Sequence, residues 1–203
     1  MKLRNNKKPQ RPPIKSGTYY GICVHSIDIG DQKDTFSQNG DYKQQFMWVF
    51  EIFRLENFKI VPVTYLDEGI EKPYDLALTM NSSQNLNSNV AKHLKSWMEG
   101  VKIDEDFMRT FDTDNVVGFP AELKVVLKDN GYNDISAIYP LPEGFVLPEP
   151  KLPLIKFNTE PWIQSAFESL PRRFQAKIMK STQYQKEHAP DTKVEVKQEE
   201  CPI

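Results

Sequence analysis

Cysteine, histidine and long apolar runs are all scarce in this sequence, and each scarcity excludes a class of protein. The two cysteines, Cys23 and Cys201, are too few and too unlike in context for a disulfide framework, so we expect two reduced thiols. No apolar run approaches the roughly 20 residues that span a bilayer. The basic, proline-rich start of the chain has no apolar stretch of the signal-peptide type. These features predict a cytoplasmic protein with no membrane partner.

The residues that usually carry catalysis are equally sparse. The three histidines, His25, His93 and His188, fall in a predicted strand, a predicted helix and the tail, so they form neither a metal cluster nor a base with an orienting partner. The sequence has no Walker-type phosphate loop and no GxSxG elbow. The acidic run 104–106 is explained by the first turn of a helix. We therefore predict a protein that is not an enzyme and that needs no metal or cofactor.

Composition favours one folded domain with extensions. The chain has 203 residues, of which 39% are apolar and 27% are charged. Its net charge of -2 hides an asymmetry, because segments 1–15, 16–150, 151–183 and 184–203 carry +6, -10, +4 and -2 respectively. An acidic central domain is a poor polyanion binder, so any contact with nucleic acid must use local basic clusters or the basic extensions.

Sequence patterns divide the chain into four parts. They are, in order, a flexible basic arm (1–15), a folded domain (16–150), a proline-punctuated helical extension (151–184) and a disordered tail (185–203). The extension carries Trp162, Phe167, Phe174 and Ile178, which suggest an amphipathic element that requires an apolar surface. That surface belongs either to the same chain or to a neighbouring copy.

The folded domain is predicted to be rich in strands. The segment Gln44–Leu55 is the most strongly strand-like, and both of its faces are apolar, which is typical of a strand covered on both sides. A tight-turn signal at 129–131 predicts a β-hairpin. The predicted strands are Gly17–Gly30, Gln44–Leu55, Lys59–Tyr65, Asp75–Met80, Gly118–Lys128 and Tyr132–Tyr139.

One convincing helix interrupts these strands. Ser82 or Ser83 can cap it, Gly100 ends it, and its apolar residues recur at helical spacing at Leu86, Val90, Leu94 and Trp97. A short acidic helix at 104–111 follows. Strands, then a helix, then a hairpin match the OB topology, in which a helix lies between strands 3 and 4. The predicted fold is mainly β, a five-stranded OB-type barrel with short C-terminal helices; a generic α+β domain is the alternative.

An ordered set of segments resembles the small single-stranded DNA-binding proteins of bacteriophages that infect Gram-positive and related bacteria. The resemblance covers roughly residues 17 to 146. The matching segments are Gly17–Val24 (GTYYGICV), Ile27–Gln32 (IDIGDQ), Phe50-Glu51, Trp97–Gly100 (WMEG), Phe111-Asp112, Val117–Pro120 (VGFP) and Ile138–Gly144 (IYPLPEG).

This resemblance implies an OB fold and sequence-tolerant binding of single-stranded DNA in phage DNA replication or recombination. It also implies a location in the host bacterial cytoplasm, with phage or host replication and recombination proteins as further partners and a homo-oligomer as one assembly. The alternative function is an OB-fold adaptor that joins proteins in a phage replication or virion assembly. The acidic domain favours that alternative.

Single strands are held by aromatic rings that stack on bases and by lysines or arginines that follow the phosphates. An OB barrel presents such residues on strands 2 and 3 and on the loops after strands 1 and 4. Trp48 shares one strand face with Phe46 and Phe50, and these aromatics either bind bases or fill the barrel. The predicted nucleic-acid-binding residues are Lys33, Phe36, Tyr42, Lys43, Trp48, Arg54, Lys59, Lys128 and Tyr132.

Overall fold

The computed structural model describes residues 11–34 and 40–188. Within these residues the chain forms nine strands and five α-helices. They are β1 (Gly17–Lys33), β2 (Tyr42–Glu56), β3 (Lys59–Pro62), β4 (Thr64–Asp67), β5 (Ile70–Pro73), β6 (Asp75–Asn81), α1 (Asn89–Trp97), α2 (Glu105–Thr110), β7 (Pro120–Leu127), β8 (Asn133–Tyr139), β9 (Ile155–Phe157), α3 (Gln164–Ser169), α4 (Arg172–Ile178) and α5 (Thr182–Glu187). Residues 1–10 of the predicted arm, Phe36, and residues 189–203 of the predicted tail lie outside the described residues.

The long strands β1 and β2 form the centre of the main sheet. They pair antiparallel from Tyr20↔Phe53 to Lys33↔Tyr42. The other edge of β2 pairs with β6 and then with β3, while the other edge of β1 pairs with β7 and, in parallel, with β9. β8 completes the hairpin with β7, and β4 and β5 form a separate two-stranded sheet. The prediction of a mainly β fold with short C-terminal helices is confirmed.

The main sheet is not closed into a barrel. β6 and β8 bring Cα atoms within 8 Å of each other, yet no hydrogen-bonded ladder joins them in the part of the chain that the structure describes. The predicted third strand, Lys59–Tyr65, is also divided. β3 ends at Pro62, and Val63 is buried and donates its N–H to the carbonyl of Ile52 at 2.9 Å, so the chain turns inward there.

The first helix begins later than the sequence indicates. Ser88, and not Ser82 or Ser83, caps α1 by accepting a hydrogen bond from the N–H of Ala91 at 3.2 Å. The preceding residues form local turns: Asn85 accepts hydrogen bonds from the N–H groups of Asn87 and Ser88. Asparagine and serine favour such turns over helix. The predicted acidic helix and the β7–β8 hairpin both form close to their predicted positions.

Two apolar cores lie on opposite faces of β2. Alternation places Phe46, Trp48, Phe50 and Ile52 in the first core, beneath α1 and against β6, β7 and β8. Met47, Val49 and Phe53 face the second core, which is covered by the C-terminal segment. That segment contributes Phe157, Phe167, Leu170, Phe174 and Ile178. The amphipathic C-terminal element therefore packs on its own chain, which explains why both faces of β2 are apolar.

Residues 11–15 of the predicted flexible arm lie against β8. The N–H of Ile14 donates to Asn133 Oδ1 at 2.8 Å, and Asn133 Nδ2 donates to the carbonyl of Ile14 at 2.7 Å. The Tyr74 hydroxyl donates to the carbonyl of Pro12 at 3.1 Å. These contacts bring Arg11 beside the start of β6. None of the helices in residues 11–34 and 40–188 has the length and apolar character needed to cross a membrane.

Candidate nucleic-acid interface

A row of basic side chains on and just after α4 runs beside the exposed face of β6. Arg173 and Lys177 are four residues apart, so they lie one above the other on the helix, about 6 Å apart along its axis. Lys180 follows the helix. We call Arg173, Lys177 and Lys180 the α4 basic row. Lys177 Nζ donates to Thr79 Oγ1 on β6 at 3.2 Å, which ties the row to the sheet.

The strand beside this row has an open outer face. Ala77, Thr79 and Asn81 of β6 are exposed, while Leu76, Leu78 and Met80 enter the first core. The exposed side chains are small and uncharged. This neutral strip, bordered on one side by the α4 basic row, leaves room for a chain of phosphates to follow the row.

The row begins at a shared carboxylate. Asp75, 4% exposed, accepts charged hydrogen bonds from both Arg11 and Arg173. One carboxylate neutralises only one of the two guanidinium groups, so one positive charge remains. Burial, together with repulsion from Arg11, lowers the pKa of Arg173 to about 10. The pKa of Lys177 is lowered by burial and by the nearby charges of Arg173 and Lys180. These cations are crowded and would gain from an anion.

Aromatic rings surround the Arg11 end of the row. The guanidinium of Arg11 lies 3.9 Å from the ring centre of Tyr74 and 5.6 Å from that of Tyr65. Tyr132, 57% exposed, lies in the same groove, whose volume is about 210 Å³. We call Arg11, Tyr65, Tyr74 and Tyr132 the tyrosine groove. Tyr74 is 3% exposed and Tyr65 is half-buried, so Tyr132 is the ring of this groove that is open to stack on a base beside the Arg11 guanidinium.

The opposite end of the row approaches the loop between β1 and β2. Gln32 Nε2 donates to the carbonyl of Lys177 at 3.2 Å. Next to Gln32, Lys33 pairs in register with Tyr42, and both side chains are exposed. Lys43 forms an ion pair with Asp34 at 2.6 Å, and this contact raises the pKa of Lys43. We call Lys33, Tyr42 and Lys43 the loop end.

The structure places the predicted nucleic-acid-binding residues in separate regions of the molecule. Lys33, Tyr42 and Lys43 lie together at the loop end, and Tyr132 lies in the tyrosine groove. Lys128, on the same β7–β8 turn as Tyr132, pairs with Asp134. Arg54 and Lys59 are exposed beside the β2–β3 turn. Twelve residues separate Tyr42 from Arg54, which is up to about 40 Å along an extended strand.

Trp48 is a correction to the sequence-based prediction. Its side chain is fully buried, and its Nε1 donates to the carbonyl of Thr113 at 3.1 Å. Its ring packs edge-on against Trp97 at 5.7 Å. The ring is therefore part of the first core and offers no surface to a base. Phe36 lies outside the described residues.

Sequence reasoning missed Arg11, Tyr65, Tyr74, Arg173 and Lys177 as a group. The signals were the +6 charge of segment 1–15, which contains Arg11, and the +4 charge of segment 151–183, and they showed that both extensions are basic but not where they lie. Residues 98 positions apart, such as Asp75 and Arg173, meet only through the folded chain. No group of three or more metal-binding side chains occurs among the residues that the structure describes.

The chain was compared with known protein families, curated proteins and solved structures. The chain matches no model of a protein family, no curated protein and no solved structure.

Proposed function

We propose that this protein binds single-stranded DNA with little sequence preference. The observation that supports the proposal is the α4 basic row, which runs beside the open face of β6 and joins the tyrosine groove to the loop end. Tyr132 is the exposed tyrosine at the groove end, Lys43 lies at the loop end on the face of β2 that α4 covers, and the row between them carries cations for phosphates. The net charge of the chain is -2, so the overall charge does not attract a polyanion. Attraction therefore depends on this local concentration of positive charge.

The proposed fold is of the OB type. Support comes from the strand order, because β1 pairs with β2 and β7, β2 pairs with β6, and β7 pairs with β8. α1 lies between β6 and β7 in the chain, where the OB topology has its helix. β3, β4 and β5 are then an insertion between the second and third barrel strands, and β9 belongs to the C-terminal cover.

The setting that we propose is phage DNA replication or recombination in the cytoplasm of a host bacterium. It rests on the segments that resemble phage single-strand binders, including Phe50-Glu51 and Trp97–Gly100. In the structure the rings of Phe50 and Trp97 pack together, with 5.5 Å between their centres, so both segments contribute side chains to the first core. Replication and recombination proteins are the expected further partners.

Fluorescence anisotropy of labelled oligo-dT, compared with a labelled duplex of the same length, tests this function. We expect tighter binding of the single strand and weaker binding as salt rises. Lys177→Ala should weaken the affinity for oligo-dT and reduce its salt dependence. Lys95→Ala, which removes an exposed lysine from α1, is the matched control and should change neither. Failure to bind oligo-dT at low salt would overturn the proposal.

A second candidate function is a protein-binding adaptor, and one apolar cluster favours it. Leu55, Phe58 and Val146 are exposed around a hollow of about 250 Å³, and Phe58 is 99% exposed. Exposed apolar side chains grouped in this way are typical of protein-binding surfaces. A partner that remains bound after nuclease treatment and is released by Phe58→Ser, with no binding of oligo-dT, would favour the adaptor.

A further inference from the structure

The turn between β7 and β8 contains the dipeptide Asn130-Gly131. Asparagine is a thermolabile residue, because the backbone nitrogen of the next residue can attack the carbon of its side-chain amide. Glycine obstructs that attack least, since it has no Cβ. The sequence contains two asparagines followed by glycine, Asn39 and Asn130, and Asn39 lies outside the described residues.

The surroundings of this dipeptide leave room for the reaction. Asn130 and Gly131 are both exposed. Gly131 has a φ of 79°, and none of the residues that the structure describes comes within 4 Å of the position that a Cβ would take there. Closure of a ring between the Asn130 side chain and the Gly131 nitrogen therefore meets no steric obstacle from the rest of the fold.

One hydrogen bond at the turn favours the attack. Asn130 Oδ1 accepts a hydrogen bond from the backbone N–H of Tyr132 at 3.1 Å. When the side-chain carbon is attacked, negative charge develops on this oxygen, and a donor already in place stabilises that charge. The Tyr132 N–H therefore makes the amide carbon of Asn130 more susceptible to attack.

A second hydrogen bond slows the attack without preventing it. The Gly131 N–H donates to the carbonyl of Lys128 at 2.9 Å, so the nitrogen is free to react only when the turn opens. An exposed turn opens by local fluctuation, without unfolding of the core. We therefore expect the reaction in the folded chain, at a lower rate than in the unfolded chain.

We propose that Asn130 is a site of spontaneous deamidation that changes the tyrosine groove as the protein ages. The Gly131 nitrogen forms a bond to Asn130 Cγ, the bond from Cγ to Nδ2 breaks, and ammonia leaves with the proton of the Gly131 N–H. Water then opens the resulting cyclic imide. Attack of water at Cγ gives aspartate, and attack at the backbone carbonyl carbon gives isoaspartate, in which the main chain passes through Cβ.

Either product alters the tyrosine groove, which Gly131 and Tyr132 both line. Each product adds a negative charge two residues before Tyr132, and isoaspartate also lengthens the backbone that carries the Tyr132 ring. A negative charge there repels the phosphates of a nucleic-acid strand. Deamidation should therefore weaken the binding of single-stranded DNA. This consequence rests on the proposed function, whereas the reaction itself does not.

The reaction is tested by incubating the full chain at mildly alkaline pH, with and without urea, and mapping its peptides by chromatography and mass spectrometry. Asn115 is the internal control, because it is also exposed but is followed by Val116, which is branched at Cβ and buried. In the folded chain Asn130 should convert at least about tenfold faster than Asn115. Equal rates at the two asparagines would overturn the site. Formation of isoaspartate in urea alone would also overturn it.

The effect on binding is tested by anisotropy of labelled oligo-dT with fresh and incubated protein. Incubated protein should bind about two- to fivefold more weakly, and the difference should shrink as salt rises. Asn130→Gln, incubated in the same way, is the matched control, because its longer side chain does not close the same ring. It should keep its affinity.

Two outcomes of the binding measurement separate the two proposals. An equal loss of affinity in incubated Asn130→Gln would place the damage elsewhere and overturn the effect on the groove. Fresh protein that fails to bind oligo-dT would overturn the proposed function and leave the measured reaction at Asn130 intact.

Discussion

Glu51 on β2 accepts a hydrogen bond from the backbone N–H of Leu152, at 2.7 Å, across a separation of 101 residues in sequence. The second oxygen of the same carboxylate accepts the N–H of Lys151 at 3.1 Å. Glu51 is fully buried. This single side chain therefore fixes the start of the C-terminal segment to the central strand.

Replacing Glu51 should loosen that attachment. Glu51→Ala leaves two backbone N–H groups without their acceptor, and we expect a loss of about 2 kcal/mol in the free energy of unfolding, measured by urea denaturation. Glu56→Ala removes an exposed glutamate from the end of the same strand and should change stability by less than about 0.5 kcal/mol. Similar losses in the two variants would contradict a specific role for Glu51.

Phe58 lies at a backbone conformation that suits glycine. Its φ is 62°, Asn57 before it has a φ of 49°, and its side chain is 99% exposed. Phe58→Gly relieves the strain without removing a core contact, so we expect a gain of about 1 kcal/mol in stability. Phe58→Ala keeps a Cβ and should give no such gain. Thermal unfolding of the two variants checks this, and equal stability of both would argue against strain at the turn.

Tyr132 should contribute to DNA binding by stacking. Tyr132→Ala should weaken oligo-dT binding by about 1–3 kcal/mol, measured by anisotropy, because one base loses its aromatic partner. Tyr139→Ala is the control: Tyr139 is 41% exposed on β8, seven residues and about 23 Å further along the chain. Unchanged affinity in Tyr132→Ala would remove the tyrosine groove from the proposed path.

Phe174 anchors α4 to the second core. It is 2% exposed, and Phe174→Ala should lower the free energy of unfolding by about 3–5 kcal/mol through lost burial and a cavity. Met179→Ala, at a residue 48% exposed just after α4, should change it by less than about 0.5 kcal/mol. A small effect of Phe174→Ala would mean that the C-terminal segment contributes little to the stability of the sheet.

Local patterns in the sequence predicted the long strands, the first helix and the β7–β8 hairpin, but not the β4–β5 hairpin or β9. The apolar runs on both faces of Gln44–Leu55 correctly indicated a covered strand, and the turn residues at 129–131 located the β7–β8 hairpin. The start of α1 was wrong because Ser82, Ser83 and Ser88 are all suitable caps. Only the turns made by Asn85 select Ser88.

The candidate site depended on information that local patterns do not hold. Alternation shows that Trp48 and Met47 face opposite ways, but it does not show which face the first core takes or that α4 covers the other. The pairing of Asp75 with Arg11 and Arg173 joins three distant segments. Such contacts follow from the tertiary fold. The sequence therefore shows that these basic residues are present, but not that they form a row beside β6.

The parallel pairing of β9 with β1 has a consequence for synthesis on the ribosome. β1 ends at Lys33, whereas α4, which completes the cover over β1 and β2, ends at Ile178, 145 residues later (178 minus 33). At about 5–20 residues per second, the ribosome needs roughly 7–30 seconds to make that stretch. From the completion of β2 at Glu56 until the end of this interval, the apolar outer face of the first hairpin lacks its own cover. The nascent chain is therefore most exposed to aggregation and to chaperone binding before its last helices emerge.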